Sequence, residues 1–281
     1  MNKQNKKDQF NLKGKTALIT GAGGLLGFEH AYALLEKEAK VILTDVNSES
    51  LSKVSERLNI VFKKAQIAEK YLDVSNIKSV INVSENLKDR NTHIDILINN
   101  AAINPKVEGD SLLESSRLEN FSSKQWDIEL AVGLTGAFNC CKVFGTDMYK
   151  NHKKGVIVNI ASDLSVIAPN QEIYKNNFVE AELSQPVKPI TYSVIKHGLI
   201  GLTKYLATYW PNSSIRCNAL SPGGVFNDQN NEFLKKVENL IPLGRLAKKE
   251  EYRGAIQFLC SDASSYMNGH NLIIDGGRTI W

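Results

Sequence analysis

A tyrosine and a lysine four residues apart, Tyr192 and Lys196, open the stretch TYSVIKHGLIGLTKYLATYW at 191–210. In a helix the two lie on one face, a turn apart, with Gly198, Leu202 and Tyr205 around them. A free phenol has a pKa of about 10, too high to serve as a base near neutrality. An ammonium one turn away favours the phenolate, which makes the pair a candidate acid/base centre. The spacing alone also arises by chance in long amphipathic helices, where Tyr192 would be a core aromatic. Its context in the chain has to decide.

The elements that would position such a pair alternate along the chain. Short apolar runs, TALIT (16–20), KVILTD (40–45), IDILINN (94–100), GVIVNIAS (155–162), IRCNALS (215–221) and NLIID (271–275), read as strands. Longer stretches of helical period separate them. Near-continuous apolar strands spaced by helices imply a parallel sheet covered on both faces. The expectation is a single doubly wound Rossmann-type α/β domain over residues 12–281, with about seven parallel strands, preceded by a tail at 1–11. Two long connections interrupt the rhythm, near 103–122 and 164–190. Both follow carboxyl ends of strands, where such folds bind ligands, and they read as substrate loops.

A second chemical signal stands at the other end of the chain. TGAGGLLG (20–27) follows the first strand and opens the first helix. Glycines there let backbone approach a pyrophosphate, whose charge meets free N–H groups and the helix dipole. That assigns Gly21, Gly23, Gly24, Leu25, Leu26 and Gly27 to a dinucleotide. The second strand ends in Asp45, 18 residues past Gly27 (45 − 27). A carboxylate there accepts from both ribose hydroxyls of an adenosine and repels a 2′-phosphate, so NAD is expected in preference to NADP. Asp45 could instead simply cap the helix at NSESLSKV, a role compatible with the first. Asp73 and Val74, in LDVS, fall near an adenine edge, with a capping role open for Asp73.

Composition narrows the function classes. Net charge is +4, from 34 basic and 30 acidic residues scattered outside MNKQNKKDQF, which gives no reason to invoke nucleic acid or a membrane surface. No run approaches the roughly 18–20 apolar residues of a membrane span, and the N-terminus lacks a signal-peptide core, so a cytoplasmic location is expected. The four cysteines show no CxxC spacing and the five histidines no ligand-spaced pair, so no metal site is expected.

Taken in order, TGAGGLLG, Asp45, DV (73–74), NNAA (99–102), NIAS (159–162), YSVIK (192–196), SPGGV (221–225) and IDGG (274–277) make the chain resemble the short-chain dehydrogenase/reductase family from about residue 12 onward. The resemblance implies an oxidoreductase in which Tyr192 exchanges a proton with the substrate oxygen. Lys196 would favour the phenolate and hold the nicotinamide ribose, and Ser162 would orient the substrate, with a strand-end cap as its rival role. Asn99 and Ala101 would line the cofactor; Pro222, Gly223, Val225 and Asn227 would flank the nicotinamide. It also implies a homodimer or homotetramer built on the helices containing Gly133 and Tyr192. Val132, Leu134, Phe138, Leu199, Leu202 and Leu206 are then either interface or core.

Three departures from the family pattern stand out. Leu25 replaces a glycine. Gly133, in WDIELAVGLTGAF, stands where the family carries a catalytic asparagine. Ser162 and Tyr192 lie 30 residues apart (192 − 162), beyond the usual spacing, and the extra residues are expected to wall the substrate. Within the family, NPKVEGDSLLESSRLENF, LAVGLTGAF, ASDLSVIAP and PVKPITYSVIKHGLIGLTKYLATYW are similar to bacterial flagellin-modification oxidoreductases of surface-sugar pathways. This likeness implies a polar sugar, sugar-phosphate or nucleotide-sugar substrate in nonulosonic-acid type biosynthesis. Asn104, Lys106, Glu108, Asp110, Lys175 and Lys188 would offer it polar contacts. Two other readings remain: a 3-oxoacyl-thioester or simple ketone reductase, and a non-catalytic NAD-binding regulator.

Overall fold

The computed structural model describes residues 8–62, 67–103, 115–151, 153–175 and 184–281. Asn104, Lys106, Glu108 and Asp110 of the first connection, and residues 176–183 of the second, lie outside the described residues. Seven strands form one sheet in the order β3-β2-β1-β4-β5-β6-β7, and every pairing is parallel. They are β1 (Thr16–Thr20), β2 (Lys40–Asp45), β3 (Ile67–Tyr71), β4 (Ile96–Asn99), β5 (Lys154–Ile160), β6 (Ser214–Pro222) and β7 (Asn271–Ile274). The direction of winding reverses between β1 and β4, which opens a crevice at the carboxyl ends of these strands.

Alternation along each buried strand sends side chains to two cores. Ala17, Ile19, Val41, Leu43, Ile96, Ile98 and Val158 meet α1 (Gly27–Leu35), α2 (Ser48–Val61) and α9 (Arg253–Cys260) through Leu34, Leu58, Ile256 and Leu259. On the other face Leu18, Ile42, Leu97, Ile157 and Cys217 pack on Val80 and Leu87 of α3 (Ile77–Asp89). The same face carries Phe144 and Met148 of a long central helix and Leu206 of α7 (Ile190–Tyr209).

The central helix runs continuously over Ser123–Asn151. It comprises α4 (Ser123–Leu130), α5 (Gly136–Cys140) and α6 (Thr146–Asn151), joined by π-helical turns at Ala131–Thr135 and Cys141–Gly145. By length and composition it meets the requirements of a membrane span that the sequence reading had found nowhere. Half of its most apolar stretch is nevertheless buried inside the fold, as expected of a core helix.

Two elements carry weak signals in the sequence. β3, IAEKY, is an edge strand whose charged residues broke the apolar signal. α8 (Asn231–Glu238) is short and capped by the Asn230 side chain, which accepts from the Phe233 N–H at 2.8 Å. At the N-terminus, the Gln9 carbonyl accepts from the Ala263 N–H at 3.2 Å, so described residues of the expected tail are tied to the domain.

Candidate active site

Tyr192 and Lys196 share one face of α7, and the Lys196 ammonium lies 5.7 Å from the centre of the Tyr192 ring. Lys196 is buried and donates to the Ile160 carbonyl of β5 at 2.8 Å, which ties α7 to the strand that ends at Ser162. Loss of water around the ammonium, helped by the charge of Lys188, lowers its pKa to about 8. At neutral pH it still carries its proton.

The Tyr192 phenol departs from the expected trend. Burial raises its pKa, Asp163 adds to the rise, and hydrogen bonding with Ser162 together with the charge of Arg278 opposes it. Desolvation therefore wins, and the phenol stands in its protonated, proton-donating form. Its pKa is not drawn below the ordinary value by the neighbouring lysine alone.

Ser162 ends β5 and begins a 3-10 turn, Asp163–Ser165. Its Oγ accepts from the Leu164 N–H at 3.2 Å and donates to Asp163 Oδ1 at 2.8 Å. The capping role and the active-site placement thus coexist, and a lone pair is left for the phenol. Asp163 is in turn held by Arg278, with Nη1 to Oδ2 at 2.8 Å and side-chain exposures of 7% and 4%. Ser165, beside it in sequence, turns away to share a hydrogen bond with Ser221 at 2.9 Å.

One continuous cleft of about 1240 Å³ joins these groups to the glycine-rich turn. It exceeds the roughly 300–1,000 Å³ of a single small-ligand pocket, which leaves room for a cofactor and a substrate together. Gly21, Gly23, Gly24, Leu25, Leu26, Asp45, Asp73, Val74, Ala101, Ser162, Tyr192, Lys196, Pro222, Gly223, Val225 and Asn227 all line it.

Two expected cofactor contacts do not. Gly27 lies beneath the turn, where a Cβ would come within 2.3 Å of the Ala22 carbonyl oxygen, so its role is close packing. Asn99 is buried in the sheet, donating to Asn159 Oδ1 at 2.8 Å and to Cys141 Sγ at 3.2 Å. Its neighbour Asn100 lines the cleft instead, and its amide donates to the Thr20 and Gly21 carbonyls. The alternation of a strand explains the exchange, since adjacent residues face opposite ways.

The turn fits a dinucleotide. Gly21 has φ +61°, and a Cβ there would lie 2.7 Å from Ala101 Cα, so only glycine serves. α1 starts at Leu26 with no side-chain cap, leaving helix-terminal N–H groups for a phosphate. The Leu25 side chain is 44% exposed at the rim, which accommodates a leucine where the family has glycine.

Asp45 accepts from the Gly23 N–H and the Asn47 N–H, each at 2.9 Å. It does not cap α2; the Asn47 side chain does, accepting from the Ser50 N–H. Asp73 likewise accepts from Ser75, while Asn76 caps α3.

At the substrate end, the Ile173 side chain of a 3-10 turn, Gln171–Tyr174, packs with Val237, Ile241 and Leu246, and Tyr174 meets Phe233 of α8 at 5.8 Å between ring centres. Leu164, Ile173, Tyr174, Lys175, Pro186 and Lys188, described residues of the second connection, line this part of the cleft. With residues from α8 onward, this end of the cleft mixes apolar Leu164, Ile173, Val237 and Leu246 with Lys175, Lys188, Lys236 and Arg278, a less uniformly polar lining than expected.

Asp163, Arg278 and the placement of Lys188 were not foreseen. Asp163 follows Ser162 directly and Arg278 follows IDGG, but their pairing spans 115 residues. No local pattern encodes such a contact.

Known proteins share this architecture from end to end. Residues 15–175 match the family model of short chain dehydrogenase, and residues 176–279 match that described as enoyl-(acyl carrier protein) reductase. D-threitol dehydrogenase of Mycolicibacterium smegmatis is 31% identical over 276 residues, covering 96% of this chain and 95% of that protein. A gluconate 5-dehydrogenase from Burkholderia cenocepacia, solved with NADP and tartrate, superposes with a TM-score of 0.83 at 28% identity, covering 98% of each chain. A short chain dehydrogenase from Leptospira borgpetersenii with bound NAD+ gives a TM-score of 0.81 at 30% identity, covering 96% of this chain and 94% of that one. With the serine, tyrosine and lysine gathered on the cleft that also holds the glycine-rich turn and both halves of the sequence matched, the chain belongs to the short-chain dehydrogenase family and is an oxidoreductase acting on CH–OH groups.

Proposed function

We propose that the protein is an NAD-dependent oxidoreductase that moves hydride between the nicotinamide and a hydroxyl or ketone of a small polar substrate. The substrate is a sugar, sugar phosphate or nucleotide sugar of surface-glycan biosynthesis, of the nonulosonic-acid type. The observation that carries this reading is the single cleft with Ser162, Tyr192 and Lys196 at one end and Asp45 at the other. When bound, the cofactor supplies the hydride acceptor or donor. Ser162 orients the substrate oxygen, and Tyr192 gives that oxygen a proton in reduction or takes one in oxidation.

The choice of NAD rests on charge. Asp45 lines the adenosine end, and among the described residues lining that end, from Gly21 to Asp73, there is no lysine or arginine to neutralise a 2′-phosphate. Relatives solved with both cofactors make this a property of the individual chain. The sugar assignment draws on the polyol and sugar-acid relatives and on the mixed, cation-bearing wall. The surface-glycan assignment draws on the segments similar to flagellin-modification enzymes. The apolar patch of Ile173, Val237 and Leu246 favours a second reading, reduction of a 3-oxoacyl thioester.

Purified protein incubated with NAD or NADP and a panel of polyols, sugar acids, sugar phosphates, nucleotide sugars and a 3-hydroxyacyl thioester separates these readings by absorbance of the reduced cofactor. Turnover of a sugar derivative with NAD, reduced at least ~10²-fold by Tyr192→Phe, is the expected outcome. Equal rates for wild type and Tyr192→Phe would remove Tyr192 from the chemistry, and tighter binding of NADP than NAD would overturn the argument from Asp45.

A further inference from the structure

The Tyr192 ring carries a second ammonium that the Tyr-Lys spacing does not include. Lys188 Nζ stands 3.9 Å from the ring centre, nearer than Lys196 at 5.7 Å. This placement is built into the backbone. Lys188 precedes Pro189, which restricts it to an extended conformation, and Pro189 is the residue from which α7 departs. The Lys188 N–H donates to Gln171 Oε1 at 2.8 Å, and the preceding Val187 N–H donates to Ser116 Oγ at 3.1 Å. Described parts of both long connections thus converge to hold this strap against the face of the phenol.

The groups around the ammonium come from several elements. Asp163 and Arg278 face it from the serine turn and the C-terminal segment, Glu129 from α4, and Tyr192 and Lys196 from α7. Asp163 is committed to Arg278 and Ser162, and Glu129 accepts from Thr191 and Gln125. Loss of water lowers the Lys188 pKa to about 8, with Asp163 and Glu129 opposing the fall, so at neutral pH the group is still a cation.

We propose that Lys188 is a positioning residue of the proton-transfer centre, adding a second cation beside the Tyr192 phenol and stabilising its negative charge whenever the proton leaves. The proposal rests on Tyr192 being the acid/base. A cation on the ring face attracts the electron-rich ring in either protonation state and attracts the phenolate more strongly. It therefore acts on the ease with which Tyr192 gives up its proton, and not on the affinity for cofactor.

The test compares Lys188→Met and Lys188→Arg with wild type in the oxidation direction from pH 6 upward to the alkaline limit of the folded enzyme, with NAD binding and Tm measured alongside. In Lys188→Met the acidic limb of the kcat profile, which reports deprotonation of the base, moves up by about 1–2 pH units. Accordingly kcat at pH 7 falls at least ~10-fold, with KM and NAD affinity near wild type; Lys188→Arg restores the limb to within about half a unit. An unmoved limb overturns the proposal. So does a rise in KM with kcat and limb unchanged, which would make Lys188 a grip on the substrate, or a loss of activity that Lys188→Arg does not rescue.

Should Lys188→Met fail to fold, Lys188→Gln carries the same measurement. A readout without turnover keeps this test separate from that of Tyr192. The ultraviolet difference titration of each form against its Tyr192→Phe counterpart gives the phenol pKa directly, and it must rise when Lys188 is replaced even if Tyr192 proves not to be the proton donor.

Discussion

A carboxylate buried beside Ser162, the hydroxyl proposed to orient the substrate, must have a cation of its own, and Arg278 provides it for Asp163. With both side chains nearly excluded from water, the pair gains little over an apolar one, but breaking it strands a charge. Arg278→Met should therefore cost about 3–5 kcal/mol, seen as a fall in Tm of about 6–15 °C, and should loosen Ser162 through its bond to Asp163. Asp163→Asn in the same chain should recover most of the lost stability. Calorimetry of the two single variants and the double variant checks this, and additive losses would show that the two side chains do not act as a pair. At this scale the sequence showed Ser162, Tyr192 and Lys196 because their motifs are local. It was silent on Asp163 and Arg278 because an ion pair between distant segments leaves no periodicity.

Between elements, the active-site helix is seated by small residues. A Cβ on Gly133 would lie 2.8 Å from Ile195 Cγ2, and one on Gly198 would lie 2.9 Å from Leu134 Cδ2, so each helix gives the other a notch. Gly133 falls within the first π-helical turn, Ala131–Thr135, where the central helix meets α7. The departure from the family asparagine thus has a packing reason: the larger side chain would need the space that Ile195 fills. Gly133→Ala should lose about 1–3 kcal/mol despite the better helix propensity of alanine, and thermal unfolding should show much of this recovered when Ile195→Ala is added. An unchanged Tm for Gly133→Ala would mean that Ile195 simply turns aside. The sequence marked Gly133 as unusual; only the crossing of the two helices explained it.

For the whole molecule, the same two helices have an outward side. Leu199 and Leu206 are core and Val132, Leu134 and Leu202 pack against it, whereas Phe138 is 49% and Tyr205 61% exposed. Tyr209 stacks on Tyr205 at 5.4 Å between ring centres, and Val194 continues the exposed face. We propose this face as the homo-oligomer contact. Light scattering should give a dimer or tetramer for the wild type and a smaller species for Phe138→Glu with Tyr205→Glu.

Acid stability is a second property of the whole fold. His30 is fully buried in α1 with no well-formed hydrogen bond to either ring nitrogen among the described residues, and burial, opposed in part by nearby Asn100, lowers its pKa to about 4. The folded form thus keeps His30 neutral where the unfolded chain protonates it, so stability is present above pH 6.5 and is lost as pH falls through about 4. This contribution is about 3 kcal/mol. Chemical denaturation of wild type and His30→Leu at pH 7 and pH 4 should differ in pH dependence by that amount, and identical pH dependence would contradict it.

The chain's linear order of apolar runs and amphipathic stretches determined by itself that a parallel α/β sheet would form, because strand and helix periodicities are local properties. The glycine turn, Asp45, Ser162, Tyr192 and Lys196 were legible for the same reason, each being defined by its immediate neighbours in sequence. Tertiary structure decided that Asn100 and not Asn99 faces the cleft, that β3 is a polar edge, and that the phenol stays protonated through burial. It also decided that Lys188 and Arg278 reach the serine–tyrosine centre. Those outcomes depend on desolvation and on charges brought together from far along the chain, quantities that exist only once the sheet has folded and distant segments meet at its carboxyl edge.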